Sequence, residues 1–128
     1  MRDVAVFLVD DDDAVRDSLK LLFETYGLAV SDFASALQFL RYGALPCNAC
    51  LVLDVHMPHI SGLDLVEKLA AEGALPPTVM ISGRAEGETI KRAAAAGVFG
   101  FLYKPFDSAK LVTMVRQAAM SGSPIPAG

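Results

Sequence analysis

Four stretches of this chain end in residues that could do chemistry together. An apolar run over residues 4–9 ends in Asp10, Asp11, Asp12 and Asp13. Cys50, Leu51, Val52 and Leu53 lead to a single Asp54, residues 78–81 lead to Ser82, and residues 99–103 lead to Lys104 and Pro105. Carboxylates brought close together resist ionisation unless a cation compensates them. A hard cation that takes oxygen ligands and keeps several waters, Mg²⁺ above all, suits a few carboxylates. A phosphoryl group suits the same set: cation, lysine and hydroxyl neutralise its equatorial oxygens while a carboxylate attacks in line.

For these residues to meet, the runs before them must lie side by side. Five strand-like runs alternate with helical patterns. Residues 14–26 carry Val15, Leu19, Leu22, Phe23 and Tyr26 at helical spacing. Gly27 is suited to the left-handed position that closes a helix. A short strand over 28–33 and a short helix over 35–41, with Ser35 as its cap, come next. The third strand spans 50–54. Leu63, Val66 and Leu69 mark a third helix that closes near Gly73. A strand over 78–82, a helix over 87–96, a strand over 99–103 and a helix over 108–120 follow. Leu111, Val112, Val115 and Ala119 face inward on the last of these.

Strands one, three and four show no polar alternation, the pattern of parallel strands covered on both faces. A strict strand–helix repeat predicts an α/β doubly wound sheet with right-handed crossovers. Such sheets hold their sites at the carboxyl ends of the strands, where these acids, the hydroxyl and the lysine fall.

At 128 residues the chain fits one domain, placed at 1–120, with 121–128 as a linker-like tail. Hydrophobic residues at 53% and charged residues at 20% argue against disorder. A net charge of −4 offers no basic stripe, so direct nucleic-acid binding is not expected. No apolar run reaches the ~20 residues of a membrane span. The N-terminal run is too short for a signal peptide, so a cytoplasmic protein is expected. Cys47-x-x-Cys50 followed by His56-x-x-His59 resembles zinc spacing, but six strand-like steps from Cys50 to His56 cover roughly 20 Å. One ion with ligand bonds near ~2 Å does not bridge that span, and free thiols are expected.

These residues resemble the receiver domain of bacterial two-component response regulators. The match comprises Asp10 and Asp11 after strand one, Asp54 with Met57-Pro58 and Ser61-Gly62 behind it, Ser82 ending strand four, and Lys104-Pro105-Phe106 after strand five. It covers residues from about 3 to 120. The resemblance implies a flavodoxin-like five-stranded sheet in order 2-1-3-4-5 with five helices. It implies that Asp54 is phosphorylated by a sensor histidine kinase or a histidine phosphotransfer protein. Asp11, Asp54 and the main-chain carbonyl of His56 would hold Mg²⁺ (with Mn²⁺ as a substitute), and Asp10 would act largely through a water. Lys104 and Ser82 would bind phosphoryl oxygens, and Ser82 and Phe101 would form the switch. The surface of the fourth helix, fifth strand and last helix, with Lys91, Arg92, Tyr103 and Lys110, would then signal to an output domain or protein or to a second phosphorylated copy. His56 and Arg84 stand where the family tunes dephosphorylation, and a cis Lys104–Pro105 bond is expected.

Such a domain is not an enzyme acting on other molecules; it performs only its own phosphotransfer and dephosphorylation. Two other classes use related residues. A phosphohydrolase of the haloacid dehalogenase type would carry Asp-x-Asp on its first strand, whereas the candidate nucleophile here is on the third. A flavodoxin-like flavin carrier needs a hydroxyl- and glycine-rich phosphate loop after strand one, where four aspartates would repel the phosphate.

Overall fold

The computed structural model describes residues 3–57, 59–83 and 87–121. Strands β1 (Ala5–Val9), β2 (Ala29–Phe33), β3 (Ala49–Asp54), β4 (Thr78–Ser82) and β5 (Gly100–Tyr103) form one parallel sheet in the order β2-β1-β3-β4-β5. Helices α1 (Asp13–Thr25), α2 (Ala36–Leu40), α3 (Gly62–Ala71), α4 (Gly87–Ala96) and α5 (Ser108–Ser121) connect and follow them. The expected flavodoxin-like architecture is therefore the observed one.

Successive strand side chains point to opposite faces, and this divides the core. Val6, Leu8, Cys50, Val52, Val79 and Ile81 pack with α1 and α5 through Leu19, Phe23, Leu111 and Val115. Phe7, Val9, Leu51, Leu53 and Met80 pack with α2, α3 and α4 through Phe39, Leu65, Val66 and Ala93. All of β4 and the first five residues of β3 are buried, as continuous apolar runs require when both faces are covered.

The helix ends follow local chemistry. Asp12 caps α1, its carboxylate accepting from Ala14 N and Val15 N, which satisfies donors at the positive end of the helix dipole. Ser35 caps α2, and Ser61 with Asp64 forms a capping box on α3. Gly27 follows α1 at φ +82°, a conformation that a side chain resists. Two details differ from the helical pattern read in the sequence. Tyr26 is 41% exposed, because the helix ends at Thr25. On α5 the fully buried alanine is Ala118, with Ala119 only partly covered.

Candidate functional site

The sheet brings the four sequence-predicted ends to one edge. Asp10 follows β1, Asp54 ends β3, Ser82 ends β4 and Lys104 follows β5. The register places Val9 beside Leu53, Asp54 beside Ile81 and Ser82 beside Tyr103. Main-chain bonds continue the pairing past the strands. Val55 N donates to Ile81 O at 3.1 Å, and Lys104 N donates to Ser82 O at 2.8 Å. The Lys104–Pro105 bond is cis.

Among the described residues, Asp10, Asp11 and Asp54 form the one group of three metal-capable side chains. One carboxylate oxygen from each lies within 4.8 Å of the others. Asp10 is buried, Asp54 is half-buried and Asp11 is exposed. Asp10 Oδ1 accepts from Asp12 N at 2.9 Å, and Asp54 Oδ1 accepts from His56 N at 3.4 Å. Burial is the main force raising the Asp10 carboxyl above the usual carboxylate range, and the Asp54 and Asp11 charges add to it. The Asp12 N–H and the Lys104 ammonium pull the other way. Burial also raises Asp54, again with Asp11 adding to it, while Lys104 opposes most strongly and the His56 N–H assists. Lys104 is thus close enough to act on two of the three acids. The three carboxylates repel one another, and their all-oxygen donor set fits a hard divalent cation.

Ser82 is fully buried and belongs to β4 itself rather than to the loop beyond it. Phe101 is half-buried, packs on the α3 and α4 side of the sheet, and has its ring 5.6 Å from that of Tyr103. His56 is exposed beside Asp54. Asp12 and Asp13 are exposed at the start of α1. Pro58 and Arg84 lie outside the described residues. Cys47 is an exposed free thiol and Cys50 a buried one.

Two residues around the site have roles that sequence reasoning did not assign. Gly62 presses its α-carbon against the Asp54 main chain, and its N–H donates to Val55 O at 2.8 Å. Arg16 reaches back from α1, its Nη1 donating to Asp10 O at 2.9 Å. A glycine opening a capped helix was the available signal for the first. For the second there was only an arginine three residues after an aspartate.

The match to known proteins covers the same elements. The family model for the response regulator receiver domain matches residues 6–116. The transcriptional regulatory protein FixJ of Azorhizobium caulinodans is 43% identical over 111 residues, covering 87% of this chain and 53% of that protein. The response regulator protein TmoT of Ectopseudomonas mendocina is 42% identical over 114 residues, covering 88% of this chain and 51% of that protein. The chain thus spans about half the length of the curated relatives it matches. The crystal structure titled FixJ-N superposes with a TM-score of 0.87 at 30% identity, covering 98% of this chain and all of that one. With sheet order and sequence in agreement, the chain belongs to the response regulator receiver domain family.

Proposed function

We propose that this domain accepts a phosphoryl group on Asp54 from a phosphohistidine and converts that event into a change of surface. The convergence of the Asp10, Asp11 and Asp54 carboxylate oxygens within 4.8 Å, under the influence of Lys104, carries this reading. Asp54 ends a strand paired on both sides, which fixes the backbone from which its carboxylate departs. One of its oxygens attacks phosphorus, the phosphorus–nitrogen bond breaks opposite it, and the leaving imidazole keeps the electron pair and takes up a proton. Lys104 and the Ser82 hydroxyl are assigned to the phosphoryl oxygens, where positive charge and a donor match the developing charge. A Mg²⁺ ion held by Asp11, Asp54 and the His56 carbonyl, with Asp10 acting through a water, would supply further positive charge to those oxygens. Mn²⁺ would serve in its place. Attack of water on the acyl phosphate returns the carboxylate and releases phosphate.

The partners follow from this chemistry. A sensor histidine kinase or histidine phosphotransfer protein is the donor. An output domain or protein, or a second phosphorylated copy, reads the α4–β5–α5 face. The domain is assigned to residues 1–120, with 121–128 as a linker, and to the cytoplasm. Relatives about twice as long include one named as a transcriptional regulator, which favours output at a promoter. This domain, at net charge −4, would not touch the DNA itself. Intact mass after incubation with acetyl phosphate tests the reading. One phosphoryl group should appear with Mg²⁺ and not without it, and Asp54→Asn should abolish it. Labelling of the Asn variant at the wild-type rate would refute the assignment.

A further inference from the structure

Asp10 and Asp11 sit at the free end of β1, and the side chain that fixes this end comes from α1. Arg16 is only 14% exposed in its side chain. Its three guanidinium nitrogens have three different acceptors. Nη1 donates to the Asp10 main-chain oxygen at 2.9 Å, Nε to Asp32 Oδ2 at 3.1 Å, and Nη2 to Asp13 Oδ1 at 2.7 Å. These arms differ in weight. The Asp13 side chain is 83% exposed, so that pair is screened and contributes little. Asp32 is 27% exposed, lies in β2 opposite Leu8, and is also approached by Lys20 Nζ at 3.6 Å. It anchors the fork in the neighbouring strand.

The bond to Asp10 is made on the peptide unit that joins Asp10 to Asp11. Holding its oxygen fixes the plane from which the Asp11 α-carbon departs. From the other side, the Asp12 N–H holds Asp10 Oδ1 at 2.9 Å, and Asp12 is itself pinned as the cap of α1. Asp11 therefore lies between two held peptide units, one through the Asp10 oxygen and one through the Asp12 N–H, although its own carboxylate is exposed.

We propose that Arg16 is a positioning residue for the acidic pair: its guanidinium fork, anchored on Asp32, sets the Asp10–Asp11 peptide and so the place where the Asp11 carboxylate meets Asp10 and Asp54. This rests on the reading of that cluster as a Mg²⁺ site. Lysine is no equivalent, because one ammonium on a flexible stem does not reproduce a planar fork with three directed bonds.

Charge alone predicts the opposite result, which makes the proposal testable. By charge alone, removing the cation bonded to the Asp10 main chain should tighten Mg²⁺ binding, if it changes it at all, whereas loss of positioning should weaken it. Mg²⁺ is titrated calorimetrically into the folded, unphosphorylated wild type, Arg16→Ala, Arg16→Lys and Arg116→Ala. Arg116 pairs with Asp3, away from the site, and serves as the control. Arg16→Ala should weaken Mg²⁺ about tenfold or more, as loss of a residue behind metal ligands does. Arg16→Lys should weaken it too at unchanged charge, with a shifted Asp11 amide resonance, while Arg116→Ala keeps the wild-type affinity. Unchanged or tighter binding in the folded Arg16 variants would overturn the proposal. So would an equal loss in Arg116→Ala. If Arg16→Ala does not fold, the Arg16→Lys comparison decides. A wild type without saturable Mg²⁺ binding would instead defeat the metal-site reading beneath it.

Discussion

A side chain on Gly62 would run into the carbonyl oxygen of Asp54. The first residue of α3 therefore lies directly on the end of β3, where the candidate phosphorylation site begins. The contact is with backbone, which has no rotamer to yield, and the Gly62 N–H is committed to Val55 O at 2.8 Å. Gly62→Ala should cost at least ~2 kcal/mol of stability, as overpacking against unyielding atoms does. It should also slow phosphoryl acceptance in whatever fraction remains folded. Urea unfolding and labelling by acetyl phosphate check both, and a variant of wild-type stability would contradict the close approach.

Asp54 gives a pH-dependent prediction. Its carboxyl lies above the usual range in the folded protein, through burial first and Asp11 second. The folded state thus binds a proton more readily than the unfolded chain, so this group lowers stability as pH rises through the ordinary carboxylate range toward the raised value. Without metal, Asp54→Asn should be more stable than wild type at neutral pH. That advantage should vanish as pH falls below the ordinary carboxylate value, where the acid is protonated in both states. Thermal unfolding in chelator across pH checks the sign, and an Asn variant less stable at neutral pH would reverse the electrostatic argument.

The same repulsion would make a bound metal a stabilising ligand. A ligand that binds only the folded state raises the unfolding free energy by ~2.7 kcal/mol at a concentration 100 times its Kd. Mg²⁺ should raise the Tm of the wild type accordingly, and chelator should reverse it. Asp11→Ala should lose most of this response while melting no lower than wild type in the apo form, because an exposed charge is all that it gives up. An undiminished Mg²⁺ response in Asp11→Ala would exclude that side chain as a ligand.

The two cysteines should behave differently although only two residues separate them. Cys47 is exposed, whereas burial raises the Cys50 thiol to about 12. Thiolate, not thiol, reacts with alkylating agents. Native protein treated with iodoacetamide at pH 8 should gain one group, on Cys47, and a second only in denaturant. Rapid double labelling of the native protein would show that Cys50 is not held in the core as described.

Much of this was legible from residue type and order, for identifiable reasons. Strand β4 and helix α4 fall where the sequence placed them. Pro76 and Pro77 mark the entry to the first, and the helix-forming run 93–96 with Gly97 marks the end of the second. Apolar spacing fixed which helices face the sheet but not their rotation to within one residue, hence Ala118 rather than Ala119 at the centre of the α5 contact. Arg16 was illegible because its meaning depends on Asp32, 16 residues away and adjacent only once β2 pairs with β1. The pressure of Gly62 on Asp54 likewise exists only when α3 folds back over the end of β3.

A phosphoryl group on Asp54 would add charge and acceptor oxygens at the sheet edge, and a bistable element would have to carry that change outward. Ser82 is buried at the end of β4, with its carbonyl tied to Lys104 N, so a movement of its hydroxyl toward the phosphoryl group disturbs the β4–β5 edge directly. Phe101 lies on that neighbouring strand, half-buried against the α3 and α4 side, its ring 5.6 Å from that of Tyr103. Helix α4 buries only Ala93 among its described side chains and is joined to α3 by the exposed pair Arg92–Glu67. Among the helices it buries the fewest side chains, and so its position is one that a few kcal/mol can shift. Phosphorylation should turn Phe101 inward and move α4, changing the surface that carries Lys91, Arg92, Tyr103 and Lys110. Ser82→Ala should still accept phosphate from acetyl phosphate but make this shift poorly. Aromatic and methyl NMR spectra of wild type and Ser82→Ala, each with and without phosphorylation, separate the two steps. An identical Phe101 ring environment and α4 position in phosphorylated and unphosphorylated wild type would remove this route while leaving Asp54 as the acceptor.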